Sequence, residues 1–231
     1  MPTLPPTSQP LIELSPHLLR GQQTRDNVMA HAVQIATREG LEALTIGRVA
    51  ETAGIAKASL LGHYGSKEQL QLATLDAGAQ RFIDTIVLPA SQFPAGIQRL
   101  KRTLDRWLAQ IIEVDGGCLF ASVTAEFDSR PGPVRTRVRE LVAAWQSALA
   151  AQVVEARQLK HLSAKVDPEQ LVFALYGVEL SLNLRVQLFD DRTAVARAHT
   201  AMTSLLREAA TPLGKRLLSA KKSKAAQSDR G

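Results

Sequence analysis

Three consecutive residues, Lys57, Ala58 and Ser59, occupy the start of a short predicted helix and have cationic or small side chains. No acidic residue lies among them to repel a phosphate, and the spacing turns Leu60 toward the protein interior. A helix with this surface can enter the major groove of DNA, where its side chains reach base edges and phosphates. The chemistry that this stretch indicates is therefore noncovalent binding to a nucleic acid.

Reactive side chains elsewhere do not form the pattern of an active site. Cys118 lies in an apolar segment, and nothing in the sequence places it beside His161 or His199 as a thiol–imidazole pair. The five histidines lack the i, i+4 pairs and cysteine partners that metal sites favour. The glycines do not form a phosphate-binding loop. We therefore expect no enzyme activity, no metal and no cofactor.

The residues around Lys57 predict two helices joined by a tight turn. Thr45 is suited to cap the first helix, whose apolar residues recur at helical spacing. Gly54 permits a left-handed backbone at the turn, and residues 56–61 form the second helix. Ser66 is then placed to cap a third helix that begins at Lys67.

The stretch from Ala53 to Leu70, AGIAKASLLGHYGSKEQL, resembles the signature of the TetR-type one-component repressors. The resemblance extends back to Thr24 and covers roughly residues 24–72. It implies a three-helix, helix-turn-helix head followed by a helical ligand-binding and dimerisation domain. Leu61 stands where the family usually has a phosphate-contacting tyrosine, and His63 takes the second tyrosine position. The resemblance therefore implies a set of DNA contacts that is altered in detail.

The resemblance implies a ligand-responsive repressor that binds a near-palindromic double-stranded DNA operator as a homodimer. For Arg25 two roles are equally open, a charge exposed to solvent and a contact to a DNA phosphate. The candidate DNA-contacting residues in the matched region are Arg25, Thr45, Lys57, Ala58, Ser59, His63, Tyr64 and Lys67.

Composition and periodicity predict an all-α protein. The chain has 231 residues, of which 45% are hydrophobic, and its periodic segments predict about nine helices. We expect a flexible arm (1–20), the DNA-binding head (21–70), a ligand and dimer domain (71–210) and a disordered basic tail (211–231). The net charge is +6, but most of the excess lies in residues 207–231, so DNA binding must rest on the motif. A single cysteine and the lack of a long apolar run indicate a cytoplasmic protein without a membrane segment.

Aromatic side chains in the second domain predict an effector pocket on the four helices that surround the effector in proteins of the resembling family. Rings at these positions either fill a core or line a cleft, and the polar residues among them favour a cleft. We expect a small, mainly apolar effector with a cationic or hydrogen-bonding group as an option. The candidate pocket residues are Trp107, Cys118, Phe120, Glu126, Phe127, Trp145, Phe173, Tyr176, Glu179 and Asn183.

The last two predicted helices, about 169–188 and 193–209, suggest half of a four-helix dimer interface, with ordinary intramolecular core as the alternative. The candidate interface residues are Leu175, Val178, Leu182, Val186, Val195, Ala198, Met202 and Leu205. Two rival functions stay open at this point. One is a constitutive DNA-binding regulator whose pocket is filled by side chains, and the other is a helical adaptor or enzyme that uses the motif for packing.

Overall fold

The computed structural model describes residues 16–219, with side chains from residue 21, and this part of the chain is helical without a β-strand. The predicted all-α fold is confirmed. The N-terminal helices are α1 (Pro16–Glu39), a 3-10 turn (Leu41–Ala43), α2 (Ile46–Ala53), α3 (Lys57–Tyr64) and α4 (Lys67–Phe82). The following helices are α5 (Leu88–Ser91), α6 (Ile97–Glu113), α7 (Leu119–Phe127), α8 (Pro133–Gln158), α9 (Pro168–Phe189), α10 (Ala194–Ala209) and α11 (Pro212–Ser219).

Helices occupy part of both of the ends that the sequence predicts to be disordered. α1 begins at Pro16, inside the predicted arm, because proline is favoured at the first helical position. At the other end, Thr211 donates its amide to the His161 carbonyl at 3.0 Å and its hydroxyl accepts the Gly214 amide at 3.1 Å. These contacts start α11 within the predicted tail. The rest of the predicted arm (1–15) and tail (220–231) lies outside the described residues.

Pro89 does not end the helix that begins at Lys67, although proline disfavours the interior of a helix. A π-helical turn (Ile83–Val87) follows α4, and α5 then continues to Ser91. Because proline has no amide hydrogen, it leaves a carbonyl one turn earlier without its usual donor. The guanidinium of Arg106 donates to that carbonyl, the one of Thr85, at 3.2 Å. The helix therefore passes the proline with its backbone polar group satisfied.

Two hydrophobic cores organise the chain, one in the head (α1 to the start of α4) and one in the body (the remaining helices). The head core does not stop at the head, because Leu119, Val123 and Phe127 of α7 are buried in it. Phe120, between these residues, packs against both cores. α7 is therefore one element through which the two cores touch, beside α4 and α8, which also carry residues of both cores.

α9 is apolar on more than one face. By length and composition it could cross a membrane, with a mean hydropathy of 1.2, but core helices of water-soluble proteins pass the same test. Here α9 packs against α6, α8 and α10 on one side. Its other side carries exposed apolar residues, which are described with the candidate sites below.

One ionisable side chain, Glu179 of α9, lies in the body core with 0% of its surface exposed. No N–H or O–H group within residues 21–219 donates to either carboxylate oxygen. Burial raises the pKa of Glu179 from its ordinary value of 4.5 to about 7, and the thiol of Cys118 beside it only partly offsets this. The Tyr176 hydroxyl is a further titratable group nearby, and burial and then the charge of Glu179 raise its pKa.

We expect Glu179→Gln to stabilise the protein at pH 8 by about 3 kcal/mol and to have little effect at pH 5. The raised pKa means that ionising Glu179 costs stability, a cost that grows from pH 4.5 to pH 7 and is complete above it. Urea unfolding at both pH values, at one protein concentration, measures the difference. Glu113→Gln, at an exposed position on α6, is the matched control. Equal stabilisation at pH 5 and pH 8 would contradict the assignment.

Candidate functional site

The turn between α2 and α3 has the geometry that the sequence predicts. The hydroxyl of Thr45 accepts the amide of Arg48 at 3.1 Å and caps α2, and Gly54 has the left-handed angles φ 68° and ψ 31°. The Ile55 amide donates to the Ala50 carbonyl at 3.0 Å and closes the turn. Leu60 is buried in the head core, so the opposite face of α3 points to solvent.

The exposed face of α3 carries the residues predicted to read DNA. Lys57, Ala58, Ser59 and His63 are all exposed. No side chain caps this helix at Ala56, so its first amides are open to an acceptor such as a phosphate. Leu61, in the usual tyrosine position of the resembling family, is 48% exposed on the same helix. The exposed face of α3 is therefore a surface with few long side chains and of a size that fits the major groove.

Three further candidate residues flank this face. Tyr64 is half-buried against the head core; burial raises the pKa of its hydroxyl, and the positive charge of the nearby Arg25 opposes that rise. Arg25 itself is exposed on α1. The Lys67 ammonium donates to the Glu42 carbonyl at 2.7 Å and to its carboxylate at 2.9 Å. In the absence of DNA, Lys67 is therefore already paired within the head.

The 3-10 turn after α1 is held by a carboxylate from the body. Glu126, near the end of α7, accepts the amides of Leu41 and Glu42, each at 2.8 Å. From α4, the buried amide of Gln71 donates to the Leu41 carbonyl at 3.0 Å. We call these contacts the head–body clamp. The sequence prediction that Glu126 lines the ligand pocket is wrong, because its carboxylate is occupied by two backbone donors of the head.

A cavity of about 330 Å³ lies in the body. Its walls are almost entirely apolar and come from α4, the π-helical turn, α6, the start of α7, α8 and α9. The lining residues are Ala79, Phe82, Ile83, Val87, Trp107, Cys118, Phe120, Leu141, Val142, Ala144, Trp145, Ala148 and Tyr176. No Lys, Arg, Asp or Glu is among these described wall residues.

Aromatic rings contact one another around this cavity, edge to face except for the tilted pair Trp107 and Tyr176. The centroid of Phe82 lies 4.7 Å from that of Trp145 and 6.2 Å from that of Phe120. Trp107 lies 5.2 Å from Trp145 and 5.5 Å from Tyr176. Such contacts fix the orientation of the rings and hold the space between them open. The indole N–H groups of Trp107 and Trp145 have no hydrogen-bond acceptor in the described part of the chain.

Five of the ten predicted pocket residues line the cavity: Trp107, Cys118, Phe120, Trp145 and Tyr176. Glu179 lies behind Cys118 and Tyr176 rather than in the wall itself. Asn183 uses its side-chain oxygen to accept the Cys118 amide at 3.0 Å, which fixes the start of α7.

Two predicted pocket residues lie elsewhere. Phe127 is buried in the head core, and Phe173 is 76% exposed on the outside of α9. Helical spacing predicts which helices carry these residues but not the direction in which each ring points, so these two assignments are wrong. The wall residues that the sequence did not indicate include Phe82, Ile83 and Val87. In the sequence these residues are recognisable only as part of an apolar stripe. The π-helical turn that orients them toward the cavity has no sequence signature.

The predicted dimer residues are mainly part of the core of a single protomer. Leu175, Leu182, Val186, Ala198 and Met202 are buried within one chain, so they offer no surface to a partner, and these assignments are wrong. Val178, Val195 and Leu205 are half-buried. α9 and α10 pack against each other through these residues. Residues of a dimer interface would recur at the same helical spacing, so the sequence does not distinguish the two.

The neighbouring face of α9 is the exposed one. Phe173, Leu184 and Leu188 are 76%, 50% and 67% exposed, and Leu180 between them is 41% exposed. Beside this stripe, Gly177, Ser181 and Ala201 line a shallow groove between α9 and α10. We call this surface the outer α9 face. Exposed apolar residues grouped in this way are typical of interaction surfaces.

The described residues contain no cluster of three or more His, Cys, Asp or Glu side chains that could hold a metal ion. Cys118 is buried, and burial together with the nearby Glu179 carboxylate raises the pKa of its thiol far above its ordinary value. A thiol in that state is a poor nucleophile.

Comparison with known proteins identifies both halves of the chain. Residues 28–74 match the tetR family of bacterial regulatory proteins, and residues 96–202 match the tetracyclin repressor-like C-terminal domain. No curated protein matches the chain significantly.

Solved structures share the fold. A TetR transcriptional regulator from Chloroflexus aurantiacus superposes with a TM-score of 0.76 at 21% identity, covering 83% of this chain and 98% of that one. A TetR-family regulator from Cytophaga hutchinsonii gives 0.73 at 17% identity, with 86% and 98% covered. A third, from Streptomyces coelicolor, gives 0.70 at 19% identity, with 82% and 97% covered. With its helix-turn-helix and its matched C-terminal domain, the chain belongs to the TetR family of DNA-binding transcriptional regulators, which are not enzymes.

Proposed function

We propose that this protein is a ligand-responsive repressor that binds a near-palindromic operator as a homodimer and is released by a small, mainly apolar effector. The observation that carries the effector is the aromatic cavity of about 330 Å³ in the body. A constitutive regulator would have this space filled by side chains. Residues 21–70 then act as the DNA-binding head and 71–210 as the ligand and dimer domain, in the cytoplasm.

Two helices connect the cavity to the head–body clamp. α7 begins beside the cavity, where Phe120 is part of the wall, and carries Glu126 near its other end. α4 carries Gln71 near its start and Phe82, a further wall residue, at its end. An effector that displaces Phe82 or Phe120 must move one or both helices, because packed cores do not deform freely. The clamp would then shift, and with it the orientation of α3.

The outer α9 face supports a homodimer. A two-fold axis through this face would place Phe173, Leu184 and Leu188 against the same residues of a second protomer. The groove lined by Gly177 and Ser181 would allow close approach of the partner helix. Dimerisation sets the distance between the two α3 helices, which must match the spacing of two major grooves.

The direct test of DNA binding is selection of bound DNA from random sequence by the purified protein. We expect a near-palindrome with half-sites roughly 34–36 Å apart, or further if the heads are set wider. Lys57→Ala should change the preferred base at one position in each half-site and cost about 1 to 3 kcal/mol. Lys165→Ala removes the same charge from an exposed loop of the body and is the control. An unchanged consensus for Lys57→Ala would exclude it from base reading.

Leu184→Asp should convert the dimer into monomers, because a charge placed in an apolar interface costs roughly 2 to 4 kcal/mol per protomer. Operator binding should be lost with the dimer. Light scattering and operator titration measure the two effects. Leu88→Asp changes a residue of similar exposure, 52% against 50%, on α5 and should leave the mass unchanged. A dimeric Leu184→Asp protein would place the interface elsewhere.

Glu126→Gln should weaken operator binding by at least about tenfold without changing the dimer mass. The amide keeps one acceptor for the two head amides but turns a donor toward the other, which costs roughly 1.5 to 3 kcal/mol at the clamp. A less firmly held head samples orientations that do not fit the operator. Titration of the selected operator at one salt concentration checks this, with Glu140→Gln on the exposed side of α8 as the control. Equal affinity of both variants would remove the clamp from the mechanism.

A further inference from the structure

The rings around the cavity present a surface that favours cations. Phe82, Trp107, Phe120, Trp145 and Tyr176 come from five different helices and enclose one space. The face of an aromatic ring carries a partial negative charge, which attracts ammonium and similar groups, most strongly when they are shielded from water. An aromatic enclosure alone, however, also accepts uncharged ligands.

The buried carboxylate next to the cavity distinguishes between these ligands. Glu179 is fully buried, and both residues that it adjoins, Cys118 and Tyr176, are part of the cavity wall. The carboxylate is thus one side chain away from the empty space. No basic residue among the described wall residues neutralises it. A negative charge in such surroundings acts over several ångströms with little screening.

A purely structural role leaves the Glu179 carboxylate poorly paired. Within residues 21–219 no N–H or O–H group donates to either oxygen, and the adjacent Cys118 thiol is only a weak donor. Buried polar groups in native proteins are normally paired, and an exception needs an explanation. A cation bound in the cavity compensates the charge of Glu179 across one side chain, whereas an anionic ligand would add repulsion in the same place.

We propose that the effector is a small lipophilic organic cation, such as an amine or quaternary ammonium compound, whose charge is attracted by Glu179 behind the cavity wall while its apolar part contacts the aromatic rings. This inference rests on the proposed function, in which the cavity is the effector site. It goes further by assigning the charge of the effector and the residue that selects for it.

The test compares two probes of the same shape that differ in charge, benzyltrimethylammonium and its uncharged carbon isostere neopentylbenzene. The two tryptophans of the chain, Trp107 and Trp145, both line the cavity, so intrinsic fluorescence reports directly on its occupancy. The full-length dimer is titrated with each probe at pH 8. The wild-type protein should bind the cation at least about tenfold more tightly than the isostere, a difference typical of a shielded charge pair.

Glu179→Gln removes the charge at nearly constant shape. This variant should lose the preference for the cation and should bind neopentylbenzene within about twofold of the wild-type affinity. Glu179→Asp keeps the charge on a shorter side chain and should retain part of the preference. It provides a second measurement if the glutamine variant does not fold. A preference for the cation that persists in Glu179→Gln would overturn the assignment of this residue.

The outcomes separate this inference from the function on which it rests. If the wild-type protein binds neopentylbenzene as tightly as the cation or more tightly, the inference is overturned, while the cavity remains a ligand site. If neither probe changes the tryptophan fluorescence or binds by calorimetry, the cavity itself fails as a ligand site. Release of the selected operator by an uncharged effector would keep the repressor function and again overturn the inference.

Discussion

The amides of Leu41 and Glu42 both donate to the Glu126 carboxylate, across more than eighty residues of sequence. These amides belong to the 3-10 turn between α1 and α2, so they fix where the helix-turn-helix begins. Charge-assisted bonds from two backbone donors are directional, and they hold the turn at a set position on α7. Gly40 precedes them with φ 91°, and a side chain there would come within 3.2 Å of the Glu126 oxygens. The orientation of the head thus depends on a carboxylate that the body supplies.

The body is built less tightly than its apolar content would allow. A cavity of about 330 Å³ and a buried, unpaired carboxylate both cost stability relative to a filled core. Deviations of this kind concentrate at functional sites, where binding energy recovers the cost. The edge-to-face contacts of Phe82, Trp107 and Trp145 keep the walls apart. Folding therefore leaves a preformed space, so a ligand does not have to open the core.

Local sequence signals predicted the head well and the body only in part. The Thr45 cap, the left-handed Gly54 and the Ser66 cap depend on residues a few positions apart, which the sequence displays directly. Glu126 was misassigned because its partners are distant in the chain, and a polar residue near aromatic ones looks the same in a pocket and in a clamp. The dimer residues were misassigned because apolar residues recur at helical spacing on both faces of α9, and the spacing does not show which face is exposed. Leu182 and Leu184 are two residues apart, yet one is buried and the other exposed.

α9 links the two parts of the proposed mechanism because its opposite faces serve different purposes. Tyr176 and Glu179 point toward the cavity side, and Leu180 and Leu184 toward solvent. The inner face of this apolar helix is covered by its own chain, and in the proposed dimer a partner covers the outer one. An effector that contacts Tyr176 therefore acts on the helix that also carries the proposed dimer surface. By linkage, if effector binding changes the affinity between the two protomers by some factor, dimerisation must change the affinity for the effector by the same factor.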